Sequence, residues 1–251
     1  FITIDQHTEI VDAGSTVAVT LLGEQLEPAD LVIIGSHCVG LDLLVGKLMR
    51  QGVRAKLIMV GSMGGHAAAR RGECDIAGVH LMDPATGGYN RHLLNDALTL
   101  VTGYGRMQGF VFRRGDARFE GKPLAEAIAT ALGEAGCVMV NRNAGSGTRI
   151  ILDQWLGDRR PAGYGTQTKS HNAVAVAISQ QRADWGIAID TVARQYGLGF
   201  IPVQEEQYDF VVPTTRLERP ALRAFRDLLD DPGIRGELAS LGFRLPQGTP
   251  P

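Results

Sequence analysis

Read for polarity alone, the chain alternates short apolar runs with stretches in which apolar residues recur every three or four positions. Residues 31–34 (LVII) form a continuous apolar run, which suits a strand buried on both faces. Gly35, Ser36 and His37 interrupt it. The spacing of Leu41, Leu44, Val45 and Leu48 then predicts a helix that ends at Gly52. The unit repeats, with a strand over 56–60, a glycine-rich turn over 61–65, a helix to Gly72 and a strand over 76–79. Residues 98–101 and 109–112 read as two more strands. A second series follows: a helix over 123–133, a strand over 137–140, a turn over 141–147, helices over 148–156 and 173–181, and a strand over 185–189. Strands over 200–203 and 208–212 precede two closing helices, 219–229 and 232–240.

Alternation of buried strand and helix implies right-handed βαβ units and a parallel sheet. One such series, then a second, then a return predicts an α/β fold of two lobes joined by two hinge crossings, placed at 110–113 and 206–212. The first lobe then comprises 28–112 and 207–251, the second 113–206. Residues 1–27 stand apart as a short β segment, with strands over 1–4 and 16–22 and a linker over 23–30. Two strands hold no core of their own, so this piece either docks on the rest or closes an upstream domain.

Composition narrows the function classes. Of 251 residues, 44% are hydrophobic and 21% charged, as in an ordinary globular protein with room for two cores. A formal net charge of -2 is unlike the basic footprint of a nucleic-acid binder. No apolar run is long enough to span a bilayer. The first residues carry no basic region followed by an apolar core, so a cytoplasmic location is expected, with a periplasmic or extracellular one as the alternative. Cys38, Cys74 and Cys137 are widely spaced and form no CxxC pair, so buried reduced thiols are expected rather than a metal or redox site.

The chemistry gathers at four strand-to-helix turns. Ser36, Ser62, the segment Gly145-Ser146-Gly147-Thr148, and Ser170 each sit at or just before an expected helix start. Helix N-termini present unpaired N–H groups and partial positive charge, a ready site for an anion. Each hydroxyl is equally suited to capping its own helix. Convergence of all four would give an anion neutral donors from both lobes. Arg142, directly after a strand, adds a forked charged donor, unless Asp153 or Asp184 pairs with it. His171 and Asn172 open the helix after Ser170, and Tyr208 lies at the second crossing, where it could close over the ligand. His80, Asp83, Tyr89 and Asn90 form a polar stretch that either lines the cleft or caps its own loop. His37 and Cys38 are adjacent at a helix start and point apart, so no catalytic residue is assigned, and no metal ligand or cofactor. A small anionic ligand is the partner these residues predict.

From residue 31 to about residue 240 the chain resembles the periplasmic-binding-protein-like domain, type II, found fused to molybdopterin molybdenumtransferases and to some helix-turn-helix regulators. The resemblance is carried by Gly35-Ser36-His37, Gly61-Ser62, the segment from Arg71 to Leu81, Gly88-Tyr89-Asn90, the segment from Asn141 to Arg149, Ser170 to Ala175, Arg182 to Gly186 and Tyr208 to Pro213. The run from Arg142 to Thr148 also resembles the Arg…Ser-Gly-Thr motif of tungstate- and molybdate-binding transport proteins. Residues 1–22, with Val11-Asp-Ala-Gly-Ser-Thr-Val-Ala-Val19, resemble the closing strands of the last β domain of molybdenumtransferases. The resemblance implies a molybdate or tungstate ligand, a sensor or delivery role near molybdenum cofactor biosynthesis, and upstream transferase domains as partners if the chain comes from a fusion. The alternatives it leaves are a fragment of the transferase itself and an exported receptor of an uptake transporter. A hydrolase using His37 and Cys38 is a further enzyme reading.

Overall fold

The computed structural model describes residues 1–23 and 27–246. One half of the molecule begins with β1 (Leu31–Gly35), α1 (Val39–Arg50), β2 (Ala55–Met59), α2 (Gly61–Arg70) and β3 (Ala77–Val79). A 15-residue strand, β4 (Leu98–Phe112), leads out of it. The other half contains α3 (Leu124–Gly133), β5 (Met139–Arg142), α4 (Gly147–Leu156), β6 (Gln167–Thr168), α5 (His171–Ser179), β7 (Trp185–Ile189) and α6 (Asp190–Gln195). A second 15-residue strand, β8 (Gly199–Pro213), returns to the first half, where α7 (Pro220–Asp230) and α8 (Pro232–Leu241) pack.

β1 pairs in parallel with β2 and bridges Ile33 to Ile76. The remaining strands lie in the order β3-β8-β4-β7-β5-β6. β5 is parallel to β6 and β7, but β4 and β8 run antiparallel to their neighbours. The expected all-parallel sheet is therefore a mixed one. Each chain crossing is a strand that enters a lobe against the direction of its βαβ units.

The first crossing lies before the expected 110–113, and the second overlaps only the start of the expected 206–212. β4 and β8 pair with each other along nearly their whole length, with register shifts between Val101 and Tyr104 and between Gln108 and Gly109. Phe110 and Phe112 already pack in the second half, against Phe119, Ala127 and Trp185. Phe210 and Val212 already pack in the first, with Leu222 and Phe225. The ribbon thus passes between lobes near Tyr104–Gln108 and Gln204–Tyr208, with Phe110 and Phe112 in one cluster and Phe210 and Val212 in the other.

Each lobe is tied by the same device. Asp75 and Val32 exchange bonds, the Asp75 N–H to the Val32 carbonyl (2.8 Å) and the Val32 N–H to the Asp75 carboxylate (2.7 Å). Arg216 and Arg219 hold the other carboxylate oxygen. In the second lobe Asp184 and Val138 exchange the same pair of bonds (2.7 and 2.8 Å), and Arg113 and Arg118 clamp the aspartate.

The expected turn over 61–65 is already the first turn of α2, whose small buried residues Gly65, Ala68 and Ala69 allow it to lie on β1. The N-terminal segment forms no strands. Phe1 and Thr20 exchange two backbone bonds, but every described residue of 1–23 is exposed. A two-stranded pairing buries too little apolar surface to hold a ladder. Part of the expected linker, 24–26, and the last residues of the first lobe, 247–251, lie outside the described residues. Cys38, Cys74 and Cys137 are free and buried.

Candidate functional site

The carboxyl ends of β1, β3 and β5 and the middle of the β4–β8 ribbon bring a set of buried polar side chains together. Ser36, Ser62, His80, Arg106, Gln108, Arg142, Thr148, His171 and Glu206 are each at most 3% exposed. Such groups are buried only against partners, or at a cost of roughly 1–3 kcal/mol for each unsatisfied one.

His80 is the centre of the first-lobe side. Its Nδ1 lies 2.8 Å from Glu206 Oε2, and its Nε2 lies 2.9 Å from the Ser36 hydroxyl. Its backbone N–H donates to the Ser62 hydroxyl oxygen (3.2 Å). Glu206, on β8, also accepts from Arg106 Nε and Gln108 Nε2, both on β4. Burial alone would raise the Glu206 carboxyl, but Arg106, His80 and the hydrogen bonds from His80 and Gln108 outweigh it and hold it at about 2. Burial, opposed by Glu206, pushes His80 down, so its ring is neutral. A carboxylate only accepts, so His80 Nδ1 carries the proton and Nε2 accepts the Ser36 O–H.

Arg142 is the centre of the second-lobe side. Its Nη1 is 3.0 Å from His171 Nδ1, and its Nη2 is 3.4 Å from the Lys169 carbonyl. Neither candidate carboxylate reaches it: Asp153 pairs with Arg149, and Asp184 with Arg113 and Arg118. Burial, then the Arg106 charge, lower the Arg142 guanidinium to about 10, leaving it charged at neutral pH. Burial and the charges of Arg142 and Arg106 push His171 well below its ordinary range. Its Nδ1 accepts from Arg142, so Nε2 carries the proton.

Several donors here have no partner among the described residues. They are Arg106 Nη1 and Nη2, Arg142 Nε, His171 Nε2 and the Thr148 hydroxyl. The two sides meet at α4. A methyl group on Gly147, which precedes Thr148, would sit 2.5 Å from the His80 carbonyl oxygen and 2.8 Å from its Nδ1.

The remaining expected residues fall outside this set of free donors. Ser146 and Ser170 are the N-caps of α4 and α5, their hydroxyls accepting from Arg149 N (3.2 Å) and Ala173 N (3.1 Å). The Tyr208 hydroxyl donates to the Ser36 carbonyl (2.5 Å) and its ring stacks on Tyr104 and His80. It therefore backs the site and closes over nothing, since its place in the ribbon is fixed from both sides. Asn172 lines a 780 Å³ groove with Val39, Asp42 and Arg194, beside the polar cluster. Asp83 and Asn90 cap their own loop, Asp83 accepting from Ala85 and Thr86, and Asn90 from Leu81. His37 pairs with Asp42 (2.8 Å) while Cys38 is buried in the core, so the two form no dyad.

Sequence reading gave no role to Arg106 or Gln108 and used Glu206 only as a hinge residue. The available signal was an arginine and a glutamine two apart, in a stretch flanked by apolar strands.

This ribbon, with a βα series on each side and buried donors between them, defines a two-lobed fold of the type II periplasmic-binding-protein class. Residues 45–230 match the PBP superfamily domain, and the chain belongs to that family. It is 31% identical over 191 residues to the uncharacterised protein YvgK of Bacillus subtilis (strain 168), covering 72% of this chain and 59% of YvgK. Among solved structures it is similar to a protein described as a phosphate ABC transporter substrate-binding protein, with bound phosphate, from Clostridium perfringens. The TM-score is 0.68 at 13% identity, over 86% of this chain and 99% of that one. An ABC-type phosphate transport receptor from Vibrio cholerae matches with a TM-score of 0.56 at 15% identity, over 86% and 100%.

Proposed function

We propose that the chain binds a small tetrahedral oxyanion between its lobes, with molybdate or tungstate as the ligand, and acts in the cytoplasm as a sensor or delivery module linked to molybdenum cofactor biosynthesis. The observation that carries the binding reading is the set of buried donors without partners on Arg106, Arg142, His171 and Thr148. Two guanidinium groups face one carboxylate, so the cluster holds one unbalanced positive charge. An anion there would neutralise it and take up donors that are otherwise costly to bury.

The ligand choice rests on acceptors. Both oxygens of Glu206 are engaged by Arg106, His80 and Gln108, so among the described residues the acceptor left for the proton of a hydrogen phosphate is the neutral Ser36 hydroxyl oxygen and not a carboxylate. Fully deprotonated oxyanions need donors only. Calorimetric titration with molybdate, tungstate, sulfate and phosphate tests the reading. Molybdate and tungstate should bind at least about tenfold tighter than phosphate, a difference of about 1.4 kcal/mol. Phosphate binding equally well would overturn the ligand assignment. Silence from all four would overturn oxyanion binding.

A further inference from the structure

Ser36, His80 and Glu206 form a directed chain of hydrogen bonds, and its direction has a price for the ligand. The Glu206 carboxylate takes the Nδ1 proton of His80, so Nε2 takes the proton of the Ser36 hydroxyl. Ser36 is then left with lone pairs only. Toward an oxygen of a naked anion it is an acceptor facing an acceptor. The Ser36 N–H and carbonyl offer no remedy, because they are used by Gly78 and Tyr208.

We infer that binding of a fully deprotonated oxyanion draws one proton onto His80, which reverses the Ser36–His80 hydrogen bond and turns Ser36 into a donor toward the ligand. The inference rests on the oxyanion reading above. With Nε2 protonated, His80 donates to the Ser36 oxygen, and the serine proton is freed to point at the anion. Charge favours the same step: a dianion takes the cluster from one positive to one negative charge, and the proton on His80 restores neutrality.

The groups around His80 decide where the proton goes. From β8 it faces Glu206, and the Tyr208 ring stacks on it with centroids 6.0 Å apart. From β4 it feels Arg106, and from β5 Arg142, both of which disfavour its charged form. Ser36 and Ser62 contact it from the ends of β1 and α2. His171, on α5, is the other histidine of the site, but its Nδ1 already accepts from the Arg142 guanidinium and has no carboxylate beside it. Only His80 has an anion ready to balance a second ring proton. Without ligand, burial keeps it neutral, with its titration below the ordinary 6.5. A dianion would raise it. Proton uptake and ligand binding then strengthen one another equally, as linkage requires.

The test is tungstate titration by calorimetry at pH 7 in buffers of different ionisation enthalpy, where the slope of observed against buffer enthalpy counts protons. A slope near one proton taken up is expected, with affinity rising about tenfold per pH unit as pH falls from 8 to 6. His80→Gln should bind more weakly with a slope near zero, and His171→Gln should keep the slope. Ring nitrogen shifts of wild-type His80, with and without tungstate, read the same event and decide the matter if His80→Gln fails to fold. Tungstate binding with no proton uptake and no change at the His80 ring would overturn the inference and leave the oxyanion reading intact. No binding of any of the four oxyanions would overturn both.

Discussion

Arg142 Nη1 lies 3.0 Å from His171 Nδ1, and no carboxylate among the described residues reaches that guanidinium. A buried arginine answered only by a neutral imidazole and a distant carbonyl weakens the unliganded fold. Replacing a buried charge with an apolar side chain of similar length is often neutral or stabilising. Arg142→Met should therefore leave the melting temperature of the ligand-free protein unchanged or raise it, by up to a few kcal/mol in unfolding free energy. The same variant should lose oxyanion affinity about 10- to 150-fold, the worth of a charged hydrogen bond of roughly 1.5–3 kcal/mol. Denaturant melts and calorimetry read the two effects separately. A destabilised ligand-free variant would make Arg142 a structural residue.

Acid should unfold the ligand-free domain early. His80 and His171 titrate below 6.5 when folded and near 6.5 when unfolded. At pH above 6.5 neither state binds the protons and stability is at its plateau. As pH falls below 6.5 the unfolded chain binds up to two more protons than the folded one, so stability declines. Glu206, held at about 2 against an ordinary 4.5, adds a further loss from 4.5 downward. Urea midpoints between pH 8 and 5 should fall, and His171→Gln should flatten the first part of the decline.

Gly147 should tolerate no side chain where α4 meets His80. Its added Cβ would press on backbone, the His80 carbonyl, which does not yield as a flexible side chain would. Gly147→Val is expected to hold the lobes apart, with a larger radius of gyration in solution scattering at saturating ligand and at least about tenfold weaker binding, 1.4 kcal/mol or more. An unchanged profile with affinity within twofold would mean that the lobes need not meet there.

The two aspartate clamps should matter unequally. Asp75→Ala strands the Val32 N–H and takes the carboxylate from Arg216 and Arg219, and should cost about 2–4 kcal/mol by chemical denaturation, whereas Asp184→Ala strands the Val138 N–H but leaves Arg113 and Arg118 on Asp116, and should cost about 1–3 kcal/mol. A loss under 1 kcal/mol at either would mean that its arginines find water instead.

The β-strand and helix alternation was legible because buried strands such as Trp185–Ile189 and caps such as Ser170 leave local signals. The ribbon was not. Gly103 and Gly105 interrupt the apolar pattern, so β4 was read as two strands, 98–101 and 109–112, and the stretch carrying Arg106 fell between them. Those glycines serve the sheet. A Cβ on Gly103 would lie 2.2 Å from the Tyr208 carbonyl oxygen, so the strands pass close only without it. Arg142 and Thr148 could be singled out because they follow a strand and open a helix, whereas Glu206 and Arg106 become partners only through pairing 100 residues apart. Short α6 and two-residue β6 carry too few positions for any period to show.

The ribbon between the lobes is also the floor of the site, since Arg106 and Glu206 face each other across it in register. Bending stiffness and ligand grip therefore reside in the same few residues. A substitution there that made opening easier would disturb the pair holding His80 in place. On the binding reading proposed above, substitutions on α4 and α5 leave this pair untouched, and that is where selection or design for faster exchange at constant specificity has room to act.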